Sequence, residues 1–242
     1  MRGGNAGSGR VLVSPAPWSD LRLRLLSALV MVPLALAAIW FGGALFAGLI
    51  VGASVGLGIE WAGLCRGGTS CRRRVTMGVA WIALAAAAAL WLRSDPLVGR
   101  TNVGFLVVAV WASDIGAYLV GRAIGGPRLA PAISPGKTWS GAVGGLAGAA
   151  VMGLVVALIH GVRHGVAPEL SRAMVVAAGL SVLGQAGDLA ESWAKRRLGV
   201  KDSGWLIPGH GGLLDRLDAA LAVLPAAALL AWWHGPGVVL WR

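Results

Sequence analysis

Residues 25–64 read LLSALVMVPLALAAIWFGGALFAGLIVGASVGLGIEWAGL, and they decide the fold. The stretch contains no Lys, Arg or Asp, and its single acid, Glu60, stands near the end. An apolar run of this length exceeds what one bilayer crossing needs, about 20 residues. Gly42-Gly43 divides it into two spans, Leu25–Phe41 and Ala44–Leu64, joined by a tight hairpin. Only helices or closed barrels satisfy their backbone hydrogen bonds in lipid, and unbroken apolar runs select helices.

Working outward, the same reading adds Val75–Leu92, Val103–Val120, Gly141–His160, Ala173–Ala190 and Ala219–Trp241. The expected fold class is all-α, a polytopic integral membrane protein with about seven transmembrane helices. Residues 1–20, rich in Gly and Ser with Pro15 and Pro17, read as a flexible N-terminal tail. Residues 21–100 read as N-terminal transmembrane helices, and 101–242 as a transmembrane region carrying polar loops and the site. A cleaved leader is not expected, because the first apolar segment starts late and runs straight into a second.

Composition agrees: 57% of residues are hydrophobic, 13% are charged, and 38 of the 242 are glycine. The net charge of +11 would suit nucleic acid, yet the basic residues fall in short clusters between apolar runs, with no aromatic-interleaved basic face. No nucleic-acid partner is expected. Cys65 and Cys71, the only cysteines, flank a basic loop without a nearby histidine, so neither a metal knuckle nor a disulfide is expected there.

The basic residues orient the chain. With the N-terminus inside, the inner segments hold 16 of the 21 Lys and Arg residues, leaving Arg93, Arg100, Arg163, Arg172 and Arg242 outside. Loops 121–140 and 191–218 then share the cytoplasmic side. The chain is expected in the cell inner membrane, multi-pass, among membrane lipids, with its active-site loops facing the cytoplasm.

Those loops concentrate the chemistry. Ser192–Asp218, SWAKRRLGVKDSGWLIPGHGGLLDRLD, mixes phosphate-binding cations, carboxylates and glycines inside an apolar protein. Charge beside a bilayer is costly and marks a functional site by default. The mixture suits a metal–nucleotide complex. Asp188, Ser192, Lys195 and Arg196 recur at helical spacing and share one face. Against this stands the bland alternative of a helix-end carboxylate paired with a snorkelling lysine. In HGGLLDRLD, Gly211 and Gly212 precede a helix whose first turns carry Asp215 and Asp218, although a Gly-Gly turn alone is a weak signal. His210 reads as scaffolding or a phosphate contact. In WASDIGAYLVGR and ISPGKTWSG, Asp114 lies within an apolar span. Ser134, Lys137 and Thr138 offer donors ahead of the helix opened by Gly141. The P-loop spacing is absent.

The pattern from Ser192 to Asp218 resembles the phosphatidate cytidylyltransferase family, also called CDP-diacylglycerol synthases. WASDIGAYLVGR at 111–122, SPGKTWSG at 134–141 and GQAGDLAESWAKR at 184–196 resemble the same family. The resemblance covers residues 104–220 and implies transfer of CMP from CTP to phosphatidate, with Mg²⁺ as cofactor. It implies Asp188 and Asp215 as metal ligands, with Asp114 as a third acid. It further implies Lys201 and Arg216, with Asp188, Ser192 and Asp215, in catalysis. Ser134, Lys137, Thr138, Lys195, Arg196, His210, Gly211 and Gly212 are implied in substrate binding. A homodimer is left open. Two alternatives remain: a CTP-dependent enzyme acting on another lipid (an ether-lipid phosphate or a polyprenol) and a transporter. The transporter would require matching inverted halves, whereas charge here is piled into the C-terminal half.

Overall fold

The computed structural model describes residues 17–66, 71–204, 206–207 and 211–242. Seven helices follow one another: α1 (Pro17–Phe41), α2 (Gly43–Leu64), α3 (Cys71–Ser94), α4 (Gly99–Ile124), α5 (Trp139–His164), α6 (Leu170–Arg197) and α7 (Leu214–His234). Between α4 and α5 lies a short antiparallel hairpin, β1 (Arg128–Ala130) and β2 (Ser134–Thr138), which pairs Arg128 with Thr138 and Ala130 with Ser134. The fold is otherwise all-α. Most of the expected tail, residues 1–16, lies outside the described residues, while Pro17 already begins α1.

Five helices, α2 to α6, are long and apolar enough to cross a membrane. That count is of the described residues, to which α1 contributes only Leu25–Phe41, and the expected number of about seven crossings is not reached there. The apolar part of α7 is bounded by Asp218 and by its end at His234. The expected span ending at Trp241 needs correction. Gly235 takes φ 89°, and with Pro236 behind it the helix cannot continue. Residues 235–242 fold back instead. The Asp95 carboxylate accepts from the Gly237 amide at 2.7 Å, and the Asn102 side chain accepts from Leu240 N at 3.0 Å.

Gly42 and Gly43, at φ 67° and 55°, turn α1 sharply into α2, in line with the hairpin expected from sequence. Helix α5 packs on α4 through small residues. A Cβ on Gly148 would stand 2.6 Å from Ala112 O, so only glycine permits this backbone approach. Large apolar side chains face outward: Leu29, Val175 and Trp233 are 71%, 71% and 80% exposed. That outward face is what lipid, rather than water, would cover.

The antiparallel order brings the ends of α2, α4 and α6 and the starts of α3, α5 and α7 to one end of the bundle. Contacts across the two polar loops fix the arrangement, for Lys137 pairs with Asp188 and Arg196 Nε donates to Ile133 O at 3.3 Å.

Candidate active site

At that end, α6 supplies three polar turns in succession. Ser113 Oγ on α4 and Ser181 Oγ lie 2.7 Å apart, and Gln185 Nε2 donates to Ser181 Oγ at 3.1 Å and to Ala142 O at 3.2 Å. These bonds lock α6 to α4 and α5 one turn before Asp188. The Asp188 carboxylate pairs with Lys137 of β2, and Ser192 Oγ donates to it at 3.4 Å. Lys137 is therefore brought to Asp188 by the hairpin, within the segment that reads as a loop in the sequence. Thr138 caps α5, its hydroxyl accepting from Gly141 N at 3.1 Å.

A cavity of about 620 Å³ opens beside this pair. Its wall carries Asp114, Tyr118, Arg122, Arg128, Lys137, Thr138, Gln185 and Asp188. Three cations on one wall of a membrane-end cavity suit an anionic ligand. Arg128 is steadied by Gly136 O, to which its Nη1 donates at 3.3 Å.

Two turns further along α6, Lys195 Nζ stands 2.6 Å from Asp215 Oδ1 and 2.8 Å from Glu191 Oε2. Asp215 Oδ2 also accepts from Ser203 N at 3.1 Å and Gly212 N at 3.2 Å. A Cβ on Gly212 would overlap Ser203 Oγ, so the close approach expected at this glycine is made by the chain's own Ser203. Gly211 adopts φ 86° and bridges back to Ile207. Burial pushes the Asp215 carboxyl up, but hydrogen bonds from Lys195 and Ser203 outweigh it and hold the group below its ordinary range.

Three carboxylates converge between these halves. Asp188, Glu191 and Asp218 each offer an oxygen within 4.8 Å of the others, a group that could hold a metal ion. Asp218 stands ahead of the apolar part of α7. Burial and the neighbouring charge of Asp188 push its carboxyl up to about 7. Glu191 Oε2 lies 2.8 Å from Lys195 Nζ, and Glu191 Oε1 is buried without a hydrogen-bond partner. An unpartnered buried acceptor among crowded carboxylates is what a cation would satisfy, so the donor set fits a hard, oxygen-ligated ion.

The sequence-derived residues are thus divided. Asp188 belongs to the converging group. Asp114 lines the cavity, and Asp215 is held by Lys195 and two amides; neither is in that group. Arg196 donates to Ile133 O and, at 3.2 Å, to Val200 O. Lys201 and Arg216 are exposed at the same end, and Ser134 is half-buried in β2. His210 lies outside the described residues. The sequence reading leaves out Glu191 and names Asp218 without giving it a role. The signal was present, because Glu191 follows Asp188 by three residues, as Asp218 follows Asp215, one helical turn in each case.

Residues 73–234 match the cytidylyltransferase family. The chain is similar to the phosphatidate cytidylyltransferase of Brucella suis biovar 1, at 46% identity over 182 residues, covering 75% of this chain and 62% of that protein. It is similar to the Pseudomonas aeruginosa protein of the same name at 39% identity, covering 68% of this chain and 59% of the relative. With that of Rickettsia bellii it shares 32% identity over 86% of this chain and 89% of the relative. The chain spans about 62% of the length of the Brucella relatives. The match takes in both polar loops, the hairpin and every acid of the converging group, and this chain belongs to the cytidylyltransferase family.

Proposed function

We propose that this chain transfers CMP from CTP to phosphatidate, forming CDP-diacylglycerol and pyrophosphate. One observation carries the reading: Asp188, Glu191 and Asp218 converge beside a cavity whose wall holds Lys137, Arg122 and Arg128. Carboxylates for a cation and cations for phosphates, placed side by side at the membrane end, suit the meeting of two polyanions. The name shared by the relatives supports the same substrates.

The phosphate of phosphatidate is already an anionic nucleophile, so the reaction asks the protein for charge and position rather than for a strong base. An oxygen of that phosphate forms the new bond to the α-phosphorus of CTP as the bond to pyrophosphate breaks. Asp188, Glu191 and Asp218 would hold the divalent cation, Mg²⁺ in our reading, and Asp215 would adjoin them through Lys195. When bound, such a cation neutralises developing charge on the phosphoryl oxygens. Lys137, Arg122 and Arg128 would bind phosphate oxygens in the cavity, with Lys201, Arg196 and Arg216 screening anions at the same end of the bundle. Ser192 and Ser134 would donate hydroxyl hydrogen bonds, and Asp114 would bound the cavity on the α4 side.

We assign the site end to the cytoplasm of an inner-membrane protein; the sequence reading, which puts 16 of the 21 Lys and Arg residues on inner segments, supports it. The test is pyrophosphate release from CTP and Mg²⁺ by protein in lipid vesicles. Release should require phosphatidate and should not occur with a polyprenol alcohol. Release with the alcohol alone would overturn the reading.

A further inference from the structure

Glu60 ends the second apolar stretch and lies before the family-matched residues 73–234. A carboxylate at the end of a membrane helix would ordinarily turn to solvent. Here it is 6% exposed and accepts three hydrogen bonds. Its Oε1 takes Leu213 N at 2.9 Å, while Oε2 takes Leu214 N at 2.8 Å and Ser203 Oγ at 3.3 Å. The first amides of a helix have no partner within that helix and carry partial positive charge. Helix α7 has no side-chain cap from its own Leu213. Glu60 supplies the acceptors from α2 instead, 153 residues earlier in the chain.

The segment that Glu60 grips has a second face. Ser203 reaches Glu60 through its hydroxyl and Asp215 through its amide, and Leu213 and Leu214 directly precede Asp215. Glycines make the grip close. A Cβ on Gly204 would stand 2.6 Å from Glu60 Oε1, and one on Gly212 would overlap Ser203 Oγ. Leu57, Ile82 and Leu214 already form a buried apolar cluster between α2, α3 and α7, so packing alone does not call for an acid at this point.

We propose that Glu60 is a positioning residue: by holding Ser203 and the start of α7 from α2, it sets where Asp215 and Lys195 stand in the site. The early helices, which carry no other acid of the site, would then act on the chemistry through this one carboxylate. The catalytic half of the inference rests on the cytidylyl-transfer reading; the positional half does not.

The test uses the full chain in lipid vesicles with Glu60→Gln, Glu60→Ala and Ser203→Ala. Amide hydrogen exchange reads position, and kcat and KM for CTP and phosphatidate read the consequence. Glu60→Gln keeps one acceptor oxygen, so we expect it to fall between wild type and Glu60→Ala. Exchange at Leu213 and Leu214 should rise about tenfold and kcat should fall about tenfold, with either KM moving less than about twofold. Ser203→Ala removes one bond of the three and covers the case in which the Glu60 variants fail to fold. Wild-type exchange at residues 213–214 in a folded variant would overturn the proposal. So would faster exchange with an unchanged kcat, or a loss confined to KM. If wild type makes no CDP-diacylglycerol, the functional reading fails by itself, and the exchange data still decide whether Glu60 positions the segment.

Discussion

Lys195→Met isolates the contact on which the two halves of the site depend. The Lys195 side chain is 12% exposed, and its ammonium lies between Glu191 and Asp215, whose side chains are 8% and 16% exposed. Methionine fills the stem's volume but leaves two buried carboxylates facing each other without their cation. Removing one partner of a buried ion pair costs about 3–5 kcal/mol. The amides of Ser203 and Gly212 still hold Asp215, which places this change near the lower end. A loss of about 3 kcal/mol corresponds to about a hundredfold in the folding equilibrium. Thermal unfolding in detergent, followed through the tryptophans, reads it.

Acidity supplies an internal check. Asp215 is held below its ordinary range. Its stabilising contribution is complete above the unfolded carboxyl value and is lost as pH falls through the depressed one. Without Lys195 that depression shrinks, so the acid limb of the stability profile should move to higher pH. Adding Glu191→Gln to Lys195→Met should recover part of the loss by discharging one orphaned carboxylate. The reasoning fails if Lys195→Met melts like wild type, or if the double variant is no more stable than the single one.

Two further outcomes follow from the same geometry. Asp188→Asn and Asp218→Asn keep size while removing a ligand charge, so Mn²⁺ affinity, read by electron paramagnetic resonance, should fall at least about tenfold in each folded variant; unchanged affinity would remove these acids from the cation site. Single cysteines at the exposed Asp202 and His164, with Cys65 and Cys71 replaced, should label from opposite sides of the membrane. An impermeant reagent applied to intact cells should reach the His164 site alone, and labelling of the Asp202 site alone would invert the orientation.

Much of this arrangement is legible in the sequence because the solvent writes it there. Apolar runs mark the helices, and Gly42-Gly43 marks the turn between α1 and α2. The spacing of Asp188, Ser192 and Lys195 puts them on one face of α6. The end of α7 was misplaced because GVVLW after Pro236 is as apolar as the helix before it. Hydropathy does not register the break that Gly235 and Pro236 impose. The hairpin at 128–138 is hidden by Pro127, Pro131 and Pro135, which read as loop, whereas β1 fits between the first two and β2 carries Pro135 inside a two-stranded sheet that has only edge strands. The grip of Glu60 on Leu213 and Leu214 has no local signature at all. It joins residues 153 and 154 apart in sequence and exists only once α2 and α7 are packed.

The central claim is that the α-phosphoryl group of CTP, and not the γ-phosphoryl group, passes to an acidic lipid at this site. Two parallel reactions with phosphatidate and Mg²⁺, one with CTP labelled by ³²P at the α position and one at the γ position, test it directly. The α label should enter the lipid fraction and the γ label should leave as pyrophosphate. Lipid carrying the γ label would mean phosphoryl transfer of the kinase type and would contradict the account.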